Sequence, residues 1–331
     1  MKHVLEKYAG ILICGVMSLG GWGCAGQTGE PIRQAQGRQE IKEGKESVTE
    51  GFAREMVEFV EYEGNPLFGG TGRDTWDKEI RERGFIIREG EEYYMWYTGY
   101  NDDRTDMKHL GYATSPDGLE WTRYEGNPIF TERWVEDEFI VKHEGTYYMF
   151  AEGRGDIAHL LVSKDHVNWE DEGDLDVRYT SGERLTPGPY GTPTVLIEGR
   201  TWYLFYERDD LHVWLARSED LQVWTNVQDK PVLSPGPEIY DGKLIAMDYV
   251  VKYENRYYAY YHGIGPGPKG ERWGPWCVGV AISDDLLHWH KYPKNPIVIA
   301  NSPILVYDGW RCRLYCMHPE VRVFFPRQVK R

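Results

Sequence analysis

A chain of 331 residues with 24 Tyr, 13 Trp and 37 Gly can bury a large core, and it is rich in the residues of strands and tight turns. Its formal net charge of -15 leaves no basic stripe to neutralise phosphates, which excludes nucleic acid as a partner. No long apolar helical stripe is evident, so one all-β domain is expected.

Lys2 and Lys7 precede an apolar stretch from Tyr8 to Leu19 that is too short to span a bilayer, and small residues follow up to Cys24. Residues 1–24 therefore read as an export signal. Gly21-Trp22-Gly23-Cys24 resembles a bacterial lipoprotein cleavage box, with Gly where Leu usually stands. This gives a protein anchored to a membrane only through a lipid on Cys24, in the periplasm or on the cell surface, or else simply secreted. Residues 25–51, rich in Gln, Gly, Glu and Lys without periodicity, read as a flexible tether, and residues 52–331 as the folded domain. Of the remaining cysteines, Cys312 and Cys316 would lie ~13 Å apart along one strand and cannot bridge; Cys277 stands alone.

Within the domain one phrase recurs four times. Ser115 to Trp121, Ser163 to Trp169, Ser218 to Trp224 and Ser283 to Trp289 each read S-x-D-x-x-x-W. Ahead of each lies an aromatic-rich strand, and the aromatic pairs begin at Tyr93, Tyr147, Trp202 and Tyr257, a period of 54 to 55 residues. Short strands and turns repeated at that period predict a β-propeller. Inner strands are expected at Phe85 to Ile87, Phe139 to Val141, Thr194 to Leu196 and Tyr249 to Val251. In the repeated phrase the Asp caps a tight turn and the Trp packs between blades, so Asp117, Asp165, Asp220 and Asp285 are structural.

A fifth unit, Ile304 to Val306 and then Arg313 to Tyr315 and Val321 to Phe325, lacks the phrase and has no room for a fourth strand. The missing strand stands at the other end, where Val57 to Phe68 repeats the pattern of Trp121 to Phe130, each ending in Glu-Gly-Asn-Pro and two apolar residues. The fold class expected is thus a five-bladed β-propeller closed by its N-terminal strand.

Chemistry in a propeller sits at the channel mouth. Five residues after the first aromatic of each pair stand Thr98, Glu152, Glu207 and His262, with His318 as the counterpart in the last unit. The segments leading into the inner strands carry Asp77 with Glu79, Arg81 and Arg83, then Asp137-Glu138, Thr192-Pro193, Met247-Asp248 and Ser302-Pro303. Carboxylates from several blades converging on one mouth suit glycoside hydrolysis, in which one acid holds a proton for the leaving oxygen and another activates water or attacks the anomeric carbon. Arg81, Arg83, Arg154 and Arg208 either hold an acidic substituent of the sugar or fix the carboxylates. Trp76, Trp134, Tyr190 and Trp273 either stack on sugar faces or pack between blades. The Gly/Pro-rich loop from Gly263 to Trp276 is expected to wall the mouth, with Asn101 to Lys108 opposite.

The unit made of Asp, a short apolar strand, Gly, Tyr-Tyr-Met-x-Tyr-Thr-Gly and Ala-Thr-Ser-x-Asp-Gly-x-x-Trp resembles the five-bladed propeller glycosidases of glycoside hydrolase families 43, 32, 62, 117 and 130, over residues 52 to 326. The resemblance implies an Asp base in the first blade, an Asp modulator, and a Glu acid in a later blade, usually with inversion. Asp77 is the matching base. Asp137, ten residues before its aromatic pair, is the modulator. Gly191-Thr-Pro-Thr194 stands where family 43 has its Glu, so the acid falls to Glu207, with His262 its rival by likeness to family 117. Glu152, Asp248, His262 and His318 complete the pocket, with Arg81, Arg83, Arg154, Arg208, Trp76 and Trp134 as candidates to bind substrate. No cofactor is required; a divalent cation near His262 and His318 is the alternative. The function expected is an exported glycoside hydrolase, with a non-catalytic glycan-binding propeller and a family 130 type phosphorylase as the competing readings.

Overall fold

The computed structural model describes residues 51–185, 188–208, 211–267 and 271–328. The expected export signal, the lipidation site at Cys24 and all but residue 51 of the expected tether lie outside them.

The described chain is strand and turn, with helix limited to single 3-10 turns at Arg54–Met56 and Ile239–Asp241. Strand β1 (Phe59–Glu61) comes first and is used last. Blade one is β2 (Glu79–Glu89), β3 (Glu92–Tyr100), β4 (Lys108–Ser115) and β5 (Thr122–Arg123); blade two is β6 (Glu136–His143), β7 (Thr146–Gly153), β8 (Ile157–Ser163) and β9 (Trp169–Asp174). Blade three is β11 (Gly191–Glu198), β12 (Thr201–Arg208), β13 (His212–Ser218) and β14 (Trp224–Asn226), with β10 (Val177–Arg178) added in parallel outside β14. Blade four is β15 (Leu244–Tyr253), β16 (Arg256–Ile264), β17 (Cys277–Ser283) and β18 (His290–Lys291). Blade five is β19 (Asn301–Tyr307), β20 (Cys312–His318) and β21 (Arg322–Pro326), completed by β1 in the register Phe59↔Pro326, Val60↔Phe325 and Glu61↔Phe324. The ring is sewn shut as the repeat comparison requires; only the fifth strand of blade three goes beyond it.

The repeats show why these sequences make these blades. Asp117 Oδ1 accepts the N–H groups of Leu119 and Glu120 at 2.7 and 2.9 Å, and Asp165, Asp220 and Asp285 do the same in their turns. The Trp that follows reaches the preceding blade: Trp169 meets Trp96 edge-on at 6.1 Å, Trp224 meets Phe150 at 5.7 Å and Trp289 meets Phe205 at 5.9 Å. Each such ring buries roughly 150–250 Å², which at about 25 cal/mol per Å² is several kcal/mol of gross stabilisation. Asn127 bonds both the N–H and the carbonyl of Tyr112, and Asn65 and Asn295 treat Val323 and Val280 alike. The Asn-Pro motif therefore clasps the strand beside it, with Asn295 as a third copy in blade four. At the seam, Tyr315 donates from its hydroxyl to the Gly118 carbonyl at 3.0 Å, joining blade five to blade one. Cys277, Cys312 and Cys316 are buried free thiols.

Candidate active site

The site begins with a backbone irregularity repeated around the ring. The inner strands of blades one to four slip register where they reach the mouth, between Arg81 and Phe85, Glu136 and Phe139, Gly191 and Thr194, and Met247 and Tyr249, while that of blade five keeps its register. Residues at three of these bulges take left-handed φ without being glycine, Glu82 at 54°, Asp137 at 48° and Thr192 at 42°, and Ser302 at the same place in blade five does so at 54°. Such φ values cost of order 1–3 kcal/mol each, and recurrence in four blades marks them as a feature of the fold that re-aims a side chain. The neighbouring strand delivers a residue to the mouth end of the inner strand in every blade, pairing Thr98 with Arg81, Glu152 with Glu136, Glu207 with Gly191, His262 with Ala246 and His318 with Asn301. The two sets of residues read from the sequence are thus one ring.

Arg83 forms its floor. Fully buried, it donates from Nε to the Glu138 carbonyl at 3.1 Å, from Nη2 to the carbonyls of Asp137 and Pro193 at 2.6 Å each, and from Nη1 to Thr194 Oγ1 at 2.8 Å and the Asp248 carbonyl at 3.0 Å. Its backbone N–H reaches Asp137 Oδ1 at 3.2 Å. One guanidinium therefore ties blade one to blades two, three and four. Expected to bind substrate, it instead plugs the channel, because the inner strands converge with their carbonyls pointing inward and a planar five-donor group satisfies them.

Above this floor the acids gather. Gly191 separates two of them: a Cβ there would lie 2.3 Å from Glu152 Oε2 and 2.9 Å from Glu207 Oε1. Glu152 also accepts the Thr192 N–H at 2.7 Å. Burial, reinforced by Asp137, Asp156 and Glu207, lifts the Glu152 carboxyl well above its ordinary range. Burial with Glu82 and Glu136 beside it pushes Asp137 up to about 7. Glu136 likewise rises to about 7, mainly through burial, although Arg81 opposes the shift. Glu138, behind Asp137 and fully buried, is raised to about 8 by burial and accepts the Thr98 hydroxyl at 3.0 Å.

Two imidazoles face these acids. His262 bonds the buried Asp248 through Nδ1 at 2.9 Å and through its backbone N–H at 2.8 Å, and its ring meets Trp276 edge-on at 5.1 Å. Burial works against its charge, yet Asp248, Asp137 and Glu82 hold it at about 8. His318 accepts the Glu82 N–H on Nδ1 at 2.9 Å, and burial lowers its proton affinity. Among the described residues no group of three or more His, Cys, Asp or Glu is arranged to hold a metal ion. His262 and His318 have their Nδ1 atoms committed to Asp248 and Glu82.

Several residues expected here are elsewhere or otherwise engaged. Asp77, expected as the base, is buried beside the outer strand, where Arg123 Nε reaches it at 2.8 Å, Thr75 Oγ1 at 2.8 Å and the Tyr97 hydroxyl at 3.3 Å. Its counterpart is not Asp137 but Asp241, held by Tyr261 and Lys291 in blade four. Trp76 stacks on Tyr97 at 5.8 Å and packs over Gly99 and Gly111, so it is core. Trp134 is near the mouth, but its ring lies between Lys108 at 5.2 Å and Arg154 at 4.8 Å, and its indole N–H goes to Glu136. Arg154 pairs with Asp106 at 2.8 Å on the exposed rim; Arg208 lies over Trp214 at 5.4 Å and donates to the Tyr179 hydroxyl at 3.3 Å. Arg81 is at the mouth, bonded to Glu82 at 2.7 Å and paired with Glu136. Asp137, Glu152, Glu207, Asp248, His262 and His318 are brought together. Glu82 and Glu136 were missed: the blade-one bulge begins one residue earlier than the others, so a fixed offset from the inner strand falls on Arg83, and Glu136 precedes the aligned Asp.

The chain has the fold of the five-bladed β-propeller glycosidases. No protein-family profile matches it. In sequence it is similar to a 1,2-β-oligomannan phosphorylase of Thermoanaerobacter sp. (strain X514), 30% identical over 152 residues, which is 43% of this chain and about half (48%) of that enzyme. It is also similar to the β-1,2-mannobiose phosphorylase of that strain, 25% identical over 270 residues, 76% of this chain and 83% of that one. In structure it resembles a propeller of glycoside hydrolase family 130, whose mannoside phosphorylases include glycoside hydrolases that target β-1,2 mannosidic linkages in Candida mannan; the TM-score is 0.66 at 16% identity, over 81% of this chain and 93% of that one.

Proposed function

We propose that this protein is a glycoside hydrolase acting on β-1,2-linked mannosides. The sugar and linkage come from the two phosphorylases it resembles and from the mannan-directed hydrolases of the same fold. The charge of the mouth carries hydrolysis over phosphorolysis. Asp137, Glu152 and Glu207 converge near Gly191, while Arg83 is engaged by carbonyls, Arg81 by Glu136 and Glu82, Arg154 by Asp106 and Arg208 by Tyr179. A phosphate dianion would meet acids before any uncommitted guanidinium, whereas water meets groups able to accept its proton. An exported protein, as residues 1–24 suggest, also meets little free phosphate.

In this reading Asp137, which keeps its proton up to about pH 7, protonates the leaving oxygen as the glycosidic C–O bond breaks. Glu152 and Glu207 flank the gap at Gly191, and the ionised member of the pair takes the proton of the water whose oxygen bonds to the anomeric carbon. The acid thus moves from Glu207 to Asp137, the base falls to the Glu152–Glu207 pair, and Asp77 has no part in the chemistry. The test is incubation with β-1,2-mannobiose, with and without inorganic phosphate, and separation of mannose from mannose 1-phosphate. Mannose released regardless of phosphate is expected. Mannose 1-phosphate would make the protein a phosphorylase, and binding without either product a glycan-binding propeller.

A further inference from the structure

We propose that Asp248 is a positioning residue for the reaction proposed above, one that holds His262 as a charged hydrogen-bond donor with Nε2 turned away from Asp248 and open to the substrate. Asp248 is fully buried at the bulge of β15, and its two oxygens take three contacts from one residue: the His262 N–H at 2.8 Å and Nδ1 at 2.9 and 3.0 Å. Backbone and ring are gripped together, so the imidazole can neither flip nor choose its tautomer. Trp276 closes one edge of the ring, and no hydrogen-bond partner on the described protein occupies Nε2.

The charged groups acting on this ring come from each strand around it: Asp248 on β15, Asp137 on β6, Glu82 on β2 and His318 on β20. Three are acids, and together they offset the cost of a buried cation. His318 is held in the complementary state: its Nδ1 accepts the Glu82 N–H, so its neutral ring carries the proton on Nε2, and burial keeps the ring neutral. The mouth therefore presents a fixed cationic N–H and a fixed neutral N–H among carboxyls, which suits sugar oxygens whose lone pairs would otherwise find only acids.

The test has two arms. In the first, imidazole resonances of the wild-type protein are followed by NMR across pH 5 to 9. His262 is expected to titrate near about 8, and in Asp248→Asn to fall to or below the ordinary value of about 6.5. In the second, kcat/KM of Asp248→Asn on β-1,2-mannobiose is expected to drop about 10- to 100-fold at pH 7.5 with KM little changed, and the deficit to narrow at pH 5.5 as the ring regains its proton. A purely structural role would lower activity equally at all pH values. Wild-type titration at or below 6.5, or an unshifted alkaline limb in Asp248→Asn, would overturn the proposal. If Asp248→Asn does not fold, the wild-type titration decides. If no mannoside is cleaved, the proposed reaction fails while the NMR arm still reports on the Asp248–His262 pair.

Discussion

Replacing Gly191 with alanine is the sharpest perturbation of the proposed site. The new Cβ would lie 2.3 Å from Glu152 Oε2 and 2.9 Å from Glu207 Oε1, where ordinary contact begins at 3.4 Å. Glu152 must then retreat by about 1 Å and Glu207 by about half as much. Glu152 cannot do so without stretching its 2.7 Å bond from the Thr192 N–H. Misplacement of a catalytic group by about 1 Å costs on the order of 100-fold in rate, so kcat on β-1,2-mannobiose should fall by that factor. The crowding should cost about 1–3 kcal/mol of stability, a few degrees in Tm, leaving the protein folded at 25 °C. Initial rates by mannose release, beside a thermal melt, measure both. Wild-type turnover in a folded Gly191→Ala protein would show that the two carboxyls do not work as a pair, and the assignment of the base would fall.

Three further outcomes follow from the same geometry. Asp77→Ala should leave kcat/KM within about twofold at 25 °C but cost about 1–3 kcal/mol in denaturant unfolding, since it removes the acceptor of Arg123 and of the Thr75 and Tyr97 hydroxyls; a collapse of kcat with stability intact would return Asp77 to the chemistry. Arg83→Lys keeps the charge but not the planar fork that serves five carbonyl and hydroxyl partners besides the Glu138 carbonyl, and each buried acceptor left unmatched costs about 1–3 kcal/mol. Its unfolding midpoint should drop steeply, and a near-wild-type midpoint would show the floor to be dispensable. Glu136, Asp137 and Glu138 are raised to about 7, 7 and 8 by burial, against about 4 in the unfolded chain. The folded state therefore binds more protons through this window, and the stability they contribute is present below about pH 4 and lost as pH rises through 7 to 8. Glu138→Gln, with no proton to lose, should melt higher than wild type at pH 8.5 and about equally at pH 5. Equal melting at both would mean that Glu138 is not held neutral.

What the sequence determined by itself is everything that repeats. The four copies of S-x-D-x-x-x-W, the Tyr-rich strands at a period of 54 to 55 residues and the Glu-Gly-Asn-Pro phrase near both Phe68 and Phe130 are local instructions. They yielded the blade count, the inner strands and the closing strand, because turn chemistry and strand alternation act over a few residues. Comparing equivalent positions also found Glu152, Glu207, His262 and His318, since β-pairing places equivalent residues at equivalent heights. The tertiary structure decided what each acid and arginine does. Asp77 and Asp137 look alike in sequence, yet one is consumed by Arg123 and the other is turned into the channel by a bulge. Arg83 looks like a ligand for sugar until blades from three other parts of the chain bring their carbonyls to it. Gly191, which reads as a missing glutamate, is the gap that two glutamates share. Charge and burial depend on what converges from distant repeats, and that convergence exists only once the ring has closed.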